Sequence, residues 1–340
     1  MKLGIIGLPG SGKSTIFEAL TQNILPEGHK TENRIGTIQV PDKRVDVLSN
    51  MYKPKRTIYA QVEYFLPARL LQQKDQKIWA QVRDCDALIH VIRNFGVYGV
   101  EKPKPYHDFH DMDQELILAD LVVVEKRLEN IELDRRRDKK ISSEEISLLN
   151  KCLKNLENEM PLRKFPDLAA AHLLKGYAFL SAKPMLVMFN NEDEDDDIPE
   201  TEDLTSREDC MVIRGKLEQE LAQMSYEEAD EFLAEFNITS SAMDRVLKQS
   251  YNLLGLISFF TVVSDEVKAW TVKKETKAVD AAEVIHTDMK TGFIRAEVIS
   301  YDNLMAAGTY HEAKKKGNVR LEGKTYEVQD GDIVTFRFNV

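Results

Sequence analysis

Gly7-Leu8-Pro9-Gly10-Ser11-Gly12-Lys13-Ser14-Thr15 fits the spacing G-x-x-x-x-G-K-[ST], a loop whose backbone N–H groups cradle the phosphates of a nucleoside triphosphate. The flanks agree with it. Lys2-Leu3-Gly4-Ile5-Ile6 reads as a short buried strand, and Ser14 to Asn23 as a helix turning Ile16, Phe17, Ala19 and Leu20 toward a core. Gly7, Gly10 and Gly12 permit a tight turn and close approach of backbone to an anion. Lys13 offers positive charge to the β- and γ-phosphates, Ser14 offers its hydroxyl to Mg²⁺, and the following helix points its positive end at the same place. The stretch from Gly7 to Thr15, Pro9 and Ser11 included, therefore reads as a phosphate-binding loop in an α/β domain, with Lys13 as the candidate catalytic charge.

Outward from the loop, Asn23 to Val40 reads as a polar, irregular segment carrying Pro26, Gly28, Asn33 and Gly36. It is either a plain surface loop or a nucleotide-sensing switch. Thr31 and Thr37 are its candidates to reach Mg²⁺, with Thr31 preferred. Tyr59 to Phe65 has strand composition, and its acidic residue, Glu63, stands where many such proteins place an Asp that holds Mg²⁺ through water. Ala87 to Ile92 reads as a buried strand in which His90 is a satisfied core or edge histidine. Pro184 to Phe189 is another buried strand. It runs into Asn190-Asn191-Glu192-Asp193, where Asn190 and Asp193 are candidates to read a base at the carboxyl end of an open sheet. The acidic run Glu194 to Asp197 reads as a solvated loop. Cys210 to Ile213 is a last short strand, and Gly215 in Arg214-Gly215-Lys216 can close the base pocket.

A different period intervenes from Met112. Ile117, Leu121, Val124, Leu128 and Ile131 keep a 4-3-4-3 spacing, and Ile146, Leu149, Leu153, Leu156 and Met160 repeat it. This is the seam of an antiparallel helical coiled coil. Ser142-x-x-Glu145 supplies a capping box, and Ile141 with Ile146 a hydrophobic staple. At the tip stand Arg135, Arg136, Arg137, Lys139 and Lys140, a basic cluster suited either to a phosphate backbone such as RNA or to solvent. Beyond residue 256, β-rich runs around 260–263, 269–272, 293–298 and 334–338 alternate with helical stretches near Ala278 to His286 and Tyr301 to Ala307. They suggest a small α+β domain of the β-grasp kind.

Composition bounds these readings. A length of 340 residues predicts two or three domains. No apolar run approaches the roughly 20 residues that span a bilayer, so no membrane role is expected. Cys85, Cys152 and Cys210 are odd in number and widely spaced, which fits free thiols and a cytoplasmic setting. A net charge of −11 argues against general coating of nucleic acid and leaves local basic clusters open.

The chain resembles the YchF / Obg-like ATPase family. The matching strings are Glu115 to Leu121 and Val124 to Leu128, then Glu266-Val267-Lys268-Ala269-Trp270-Thr271, Val284 to Asp288, Gly292 to Val298, and Val328 to Asp332 leading into Phe336 to Val340. The resemblance implies a P-loop nucleotide domain (residues 1–112 and 178–256), an inserted coiled-coil arm (113–177) and a C-terminal TGS domain (257–340). It also implies Mg²⁺, binding of ATP or GTP, slow hydrolysis, and nucleotide-dependent association with ribosomes or ribosomal RNA through the arm tip and the TGS domain, by a protein expected to be monomeric. The family's altered base motif falls on Asn190 and Asp193. Two departures stand out. The GTPase Lys is replaced by Asn191, and the family's Asp-x-x-Gly is replaced by Glu63-Tyr64-Phe65-Leu66-Pro67. The second departure keeps two functions open: a slow NTPase, or a nucleotide-binding module that no longer hydrolyses. A small-molecule kinase is a distant third, because no acceptor-site base is evident.

Overall fold

Strand β1 (Lys2–Ile6) is short and almost wholly buried, with Leu3 and Ile5 inaccessible to solvent. Strands covered on both faces carry unbroken apolar runs and belong to parallel sheets. In the computed structural model β1 pairs in parallel with β4 (Gln61–Leu66) on one side and β5 (Ala87–Asn94) on the other. The structure describes residues 1–22, 32–68, 76–137, 142–224, 228, 242–263 and 265–339. With β2 (Arg34–Gln39), β3 (Arg56–Ile58), β6 (Met185–Asn191) and β7 (Asp209–Ile213) defined, the first sheet runs β2-β4-β1-β5-β6-β7. Strand order reverses at β1, so the crevice at its carboxyl end is the ligand position of an open α/β sheet. Helix α1 (Lys13–Thr21) starts there and buries Ile16, Phe17 and Leu20.

The chain divides into two compact units, Met1–Ile38 with Glu63–Arg245, and Gln39–Val62 with Val246–Val340. Residues 39–62, placed with the nucleotide domain by the sequence reading, are therefore built into the second unit. Helix α2 (Lys43–Tyr52) is capped by Asp42, whose side chain accepts from Arg44 N at 2.9 Å. Val45, Leu48 and Ala60 share a core with Phe260, Val267 and Ala269. Strand β3 lies parallel to β9 (Glu266–Lys273), and Arg44 binds both Asp42 and Asp330. With β8 (Leu256–Val263), β10 (Phe293–Ser300), β11 (Arg320–Glu322) and β12 (Asp332–Phe338), the second sheet runs β11-β10-β12-β8-β9-β3. The helix Ala278–Ile285 packs with Phe259, Val298 and Val334.

Residues 34–39, read from sequence as irregular, form the edge strand β2. The pattern is hidden because one inward position is charged. Arg34 is buried, its Nη1 donates to Glu18 Oε1 at 2.9 Å, and its guanidinium lies 4.6 Å from the centre of the Phe17 ring.

Helix α3 (Gln76–Val82) precedes β5. Helix α4 (Pro105–Arg135) begins seven residues before Met112, with Pro105 in its first turn, where a missing N–H has no consequence. Its early residues Phe109, Met112 and Leu116 pack against the first sheet. Farther along, Ile117, Val124 and Ile131 pack on Leu149, Cys152 and Leu156 of α5 (Ser143–Glu157). The two helices form a hairpin in which Cys152 is fully buried and Leu153 only partly, while Met160 lies beyond the helix end. Ser142 caps α5 by accepting from Glu145 N at 3.3 Å. The Glu145 side chain does not return the cap; it accepts from Arg127 and Tyr177, tying α4 to the residues beyond α5. Ile141, Lys139 and Lys140 lie outside the described residues, whereas Arg135, Arg136 and Arg137 are exposed.

Candidate functional site

The loop between β1 and α1 turns through three glycines with positive φ: Gly7 at 146°, Gly10 at 80° and Gly12 at 92°. Pro9 and Gly10 form its exposed apex, while Ser11 is buried. Lys13 Nζ donates to Gly7 O at 2.8 Å and to Leu8 O at 2.7 Å, which holds the ammonium over the loop. Gly12 is the N-cap of α1 and gives it no side-chain cap. The first N–H groups of that helix thus turn toward the loop, at the positive end of the helix dipole. Ser14 and Thr15, in the first turn, are partly exposed beside them.

Asn190, at the end of β6, locks this loop to the far side of the site. Its Nδ2 donates to Ser11 O at 3.1 Å, and its Oδ1 accepts from Gly215 N at 2.9 Å. The fit leaves no room for a side chain on either glycine. A Cβ on Gly12 would lie 2.1 Å from Asn190 Nδ2, and one on Gly215 would lie 2.7 Å from Asn190 Oδ1. Beside the lock opens a cleft of about 650 Å³ lined by Gly12, Thr15, Phe95, Asp193, Lys216 and Gln219, among others. Asp193 brings a carboxylate to it, 4.0 Å from Lys216 Nζ. Asn191 does not stand in for a lysine stem. It is buried, accepts from Asn94 Nδ2 and donates to Asp197 O, so it fastens the acidic loop. Arg214 fastens the same loop through Asp196, 3.3 Å away.

The structure thus brings Gly7, Pro9, Gly10, Ser11, Gly12, Lys13, Ser14, Thr15, Asn190, Asp193 and Gly215 to one region. Glu63 is not among them. It pairs with Lys2, at the amino end of β1, and its side chain is exposed. Five residues of strand, about 16 Å at the usual rise, separate that register position from Gly7. The carboxyl end of β4 is Leu66, followed by Pro67 and Ala68, and none of them carries a carboxylate. Thr31 lies outside the described residues, and Thr37 is exposed on β2. A Mg²⁺ ion at this site would take one protein oxygen from Ser14. Phosphate and water would supply further ligands, in keeping with how Mg²⁺ is usually held. Among the described residues no group of three His, Cys, Asp or Glu side chains is placed to hold a metal alone.

A second network of buried polar side chains beside the cleft leaves no local pattern in the sequence. Glu18 of α1 accepts from Arg34 Nη1 and, through its other oxygen, from Gln219 Nε2 at 2.7 Å. Its members are 16 and 201 residues from Glu18 in sequence, beyond the reach of any local pattern.

His90 is the one sequence expectation that fails on satisfaction. It lies beside Ile6 in the sheet, 1% exposed and stacked on Phe109, and neither ring nitrogen finds a hydrogen-bond partner among the described residues. Burial, with the charges of Arg163 and Lys13 adding to it, pushes the imidazole down to about 3. The unfolded chain takes up this proton near 6.5. Stability contributed by the neutral imidazole is complete above that pH and is lost as pH falls from 6.5 toward 3. Urea unfolding at pH 7.5 and 5.5 should show wild type losing about 1 kcal/mol that a His90→Leu variant keeps. Equal acid sensitivity in the two proteins would contradict this assignment.

A glycine loop between a parallel strand and a helix, locked by an Asn at the end of a second strand and opening on a cleft lined by the Asp193 carboxylate, defines a P-loop nucleotide-binding protein. Comparison with known proteins narrows the class. The YchF-GTPase_C family model, described as a protein of unknown function (DUF933), matches residues 256–339. The chain is 37% identical to the ribosome-binding ATPase YchF of Bacillus subtilis, over 99% of both chains. It is 33% identical to the protein of that name from Escherichia coli O157:H7, over 100% of this chain and 99% of the other. The YchF GTPase of Schizosaccharomyces pombe superposes with a TM-score of 0.83 at 27% identity, covering 99% of this chain and 97% of that one. A GTP binding protein from Pyrococcus horikoshii shares the fold, with a TM-score of 0.61 at 19% identity and full coverage of both chains. The chain belongs to the YchF family.

Proposed function

We propose that this chain binds ATP or GTP with Mg²⁺ in the cleft beside Gly12 and Asn190, and that nucleotide occupancy governs its association with the ribosome. The observation that carries the reading is the lock Ser11–Asn190–Gly215, which joins the phosphate loop to the base end of one cleft. The relatives' shared name, ribosome-binding ATPase, supports the second half. In the bound complex the loop N–H groups and Lys13 bind the phosphates, Ser14 meets the metal, and Asp193 faces the base. Magnesium supplies charge neutralisation at the transferring phosphoryl group. Lys13 is the residue placed to stabilise charge that grows there in hydrolysis. The helical hairpin serves as a coiled-coil arm and the second unit includes a TGS domain, in a monomeric cytoplasmic protein.

A second reading is favoured by one observation: β4 ends at Leu66, followed by Pro67 and Ala68, and its only carboxylate, Glu63, lies three residues earlier, level with the amino end of β1. On that reading the chain binds nucleotide and does not turn it over. Phosphate release by the full-length protein separates the two. Slow release that vanishes in Lys13→Ala establishes the hydrolase, and tight binding with no release establishes the holder.

The exposed Arg135, Arg136 and Arg137 at the arm tip are the basic residues offered to a phosphate backbone. Reversing all three to Glu should weaken co-sedimentation with ribosomes at least tenfold at low salt, with the gap closing as salt rises. Binding that ignores both the reversal and the salt series would remove the tip from the interface.

A further inference from the structure

Gln219, on the helix Gly215–Leu221, lines the cleft together with Gly12 and Thr15 of the glycine motif. Its amide has a fixed orientation. Glu18 is buried, and its carboxylate accepts from Arg34 Nη1 at one oxygen and from Gln219 at the other. A carboxylate paired with an arginine can only accept, so the edge of Gln219 that meets it at 2.7 Å is the NH₂ group. The side-chain carbonyl is then the edge left for the cleft. The same cleft is lined by the carboxylates of Glu192, Asp193 and Glu194 and by the cation of Lys216, so a carbonyl turned to it from Gln219 would add a neutral acceptor to a wall whose other acceptors are largely charged.

Resting on the nucleotide-binding reading above, we infer that Gln219 is a specificity residue whose carbonyl, aimed by Glu18, accepts a hydrogen bond from a donor group of the bound purine nucleoside. That donor is a ribose hydroxyl or the exocyclic amino group of the base; both present an N–H or O–H to an acceptor that cannot reorient. A neutral acceptor held this way discriminates by leaving a buried group unpaired when the donor is missing. Arg34 belongs to β2, so the same carboxylate that aims Gln219 also anchors the strand following the first helix. Gln219 is only partly exposed and Glu18 keeps its arginine without it, so its replacement leaves the core pair intact.

The experiment is calorimetric titration of the full-length protein with Mg²⁺ and a set of nucleotides, using wild type, Gln219→Leu and Gln219→Ala. The set contains ATP and GTP, their 2′-deoxy and 3′-deoxy forms, and the triphosphates of purine riboside and inosine, which lack the amino group. Both variants should bind the parent nucleotide about tenfold more weakly than wild type. They should match wild type for the one analogue that lacks the donor. Matching on a deoxy form assigns the ribose hydroxyl, and matching on an amino-free form assigns the base. An equal loss for every nucleotide, or no loss for any, overturns the inference, since a purely structural role for Gln219 would give no analogue dependence. If wild type bound neither ATP nor GTP, the nucleotide-binding reading itself would fall. Binding that depends on Lys13 but is indifferent to Gln219 would remove only the specificity role.

Discussion

Lys13→Ala should weaken binding of ATP or GTP by about 100-fold or more, and abolish whatever phosphate release the wild type shows. The side chain is the one cation the structure places on the loop itself, with its ammonium drawn across the carbonyls of Gly7 and Leu8. A charge-assisted hydrogen bond to a phosphate contributes about 1.5–3 kcal/mol, and 2.7 kcal/mol is about a hundredfold in affinity. Folding should survive, because the lysine is only partly buried and takes no part in the Asn190 lock. Equilibrium titration with a fluorescent nucleotide, alongside thermal unfolding, checks both halves. Wild-type affinity in the variant would show that the phosphates sit elsewhere.

Gly12→Ala should be as severe for a different reason. At φ 92° an alanine is strained by about 1–2 kcal/mol, and its Cβ would sit 2.1 Å from Asn190 Nδ2. Asn190 must then swing away, leaving Ser11 O and Gly215 N without their partner. Each buried polar group so orphaned costs a further 1–3 kcal/mol or so. The variant should lose at least about 3 kcal/mol of stability and at least 100-fold in nucleotide affinity. Gly10 supplies the control. Its φ is also positive, at 80°, but nothing lies within 4 Å of a Cβ there, so Gly10→Ala should show the strain alone. A double-mutant cycle sharpens the point: with Asn190→Ala in place the clash has no partner, so Gly12→Ala should add only its backbone strain. Denaturant unfolding of the four proteins reads this directly. Full additivity would mean that Asn190 is not what closes around Gly12.

The phosphate loop was readable from its own residues because every element it needs is adjacent in the chain: the buried strand, the glycines and the amphipathic helix. Asn190 and Asp193 were readable because a buried strand leads straight into them, and their place at its carboxyl end follows from sheet geometry. Glu63 misled because register cannot be read from a single strand. The composition of residues 59–65 reveals a strand, but only pairing with Lys2 shows which end of the sheet each side chain occupies. Strand β2 was hidden because its inward Arg34 is neutralised by Glu18, a partner that no alternation of polar and apolar residues announces. Residues 39–62 were misplaced for a related reason. Their apolar side chains complete a core with residues some two hundred positions away, such as Phe260 and Val267. Gln219 carries no local signal, because its orientation comes from Glu18, across the same kind of distance.

Whether the phosphate loop locked by Asn190 binds a nucleoside triphosphate is decided by titrating the full-length protein with ATP and with GTP, each with and without Mg²⁺. Saturable one-to-one binding of at least one of them is expected, strengthened by Mg²⁺ and weakened at least 100-fold in Lys13→Ala. Absence of saturable binding by either nucleotide, or affinity untouched by the loss of Lys13, would contradict it.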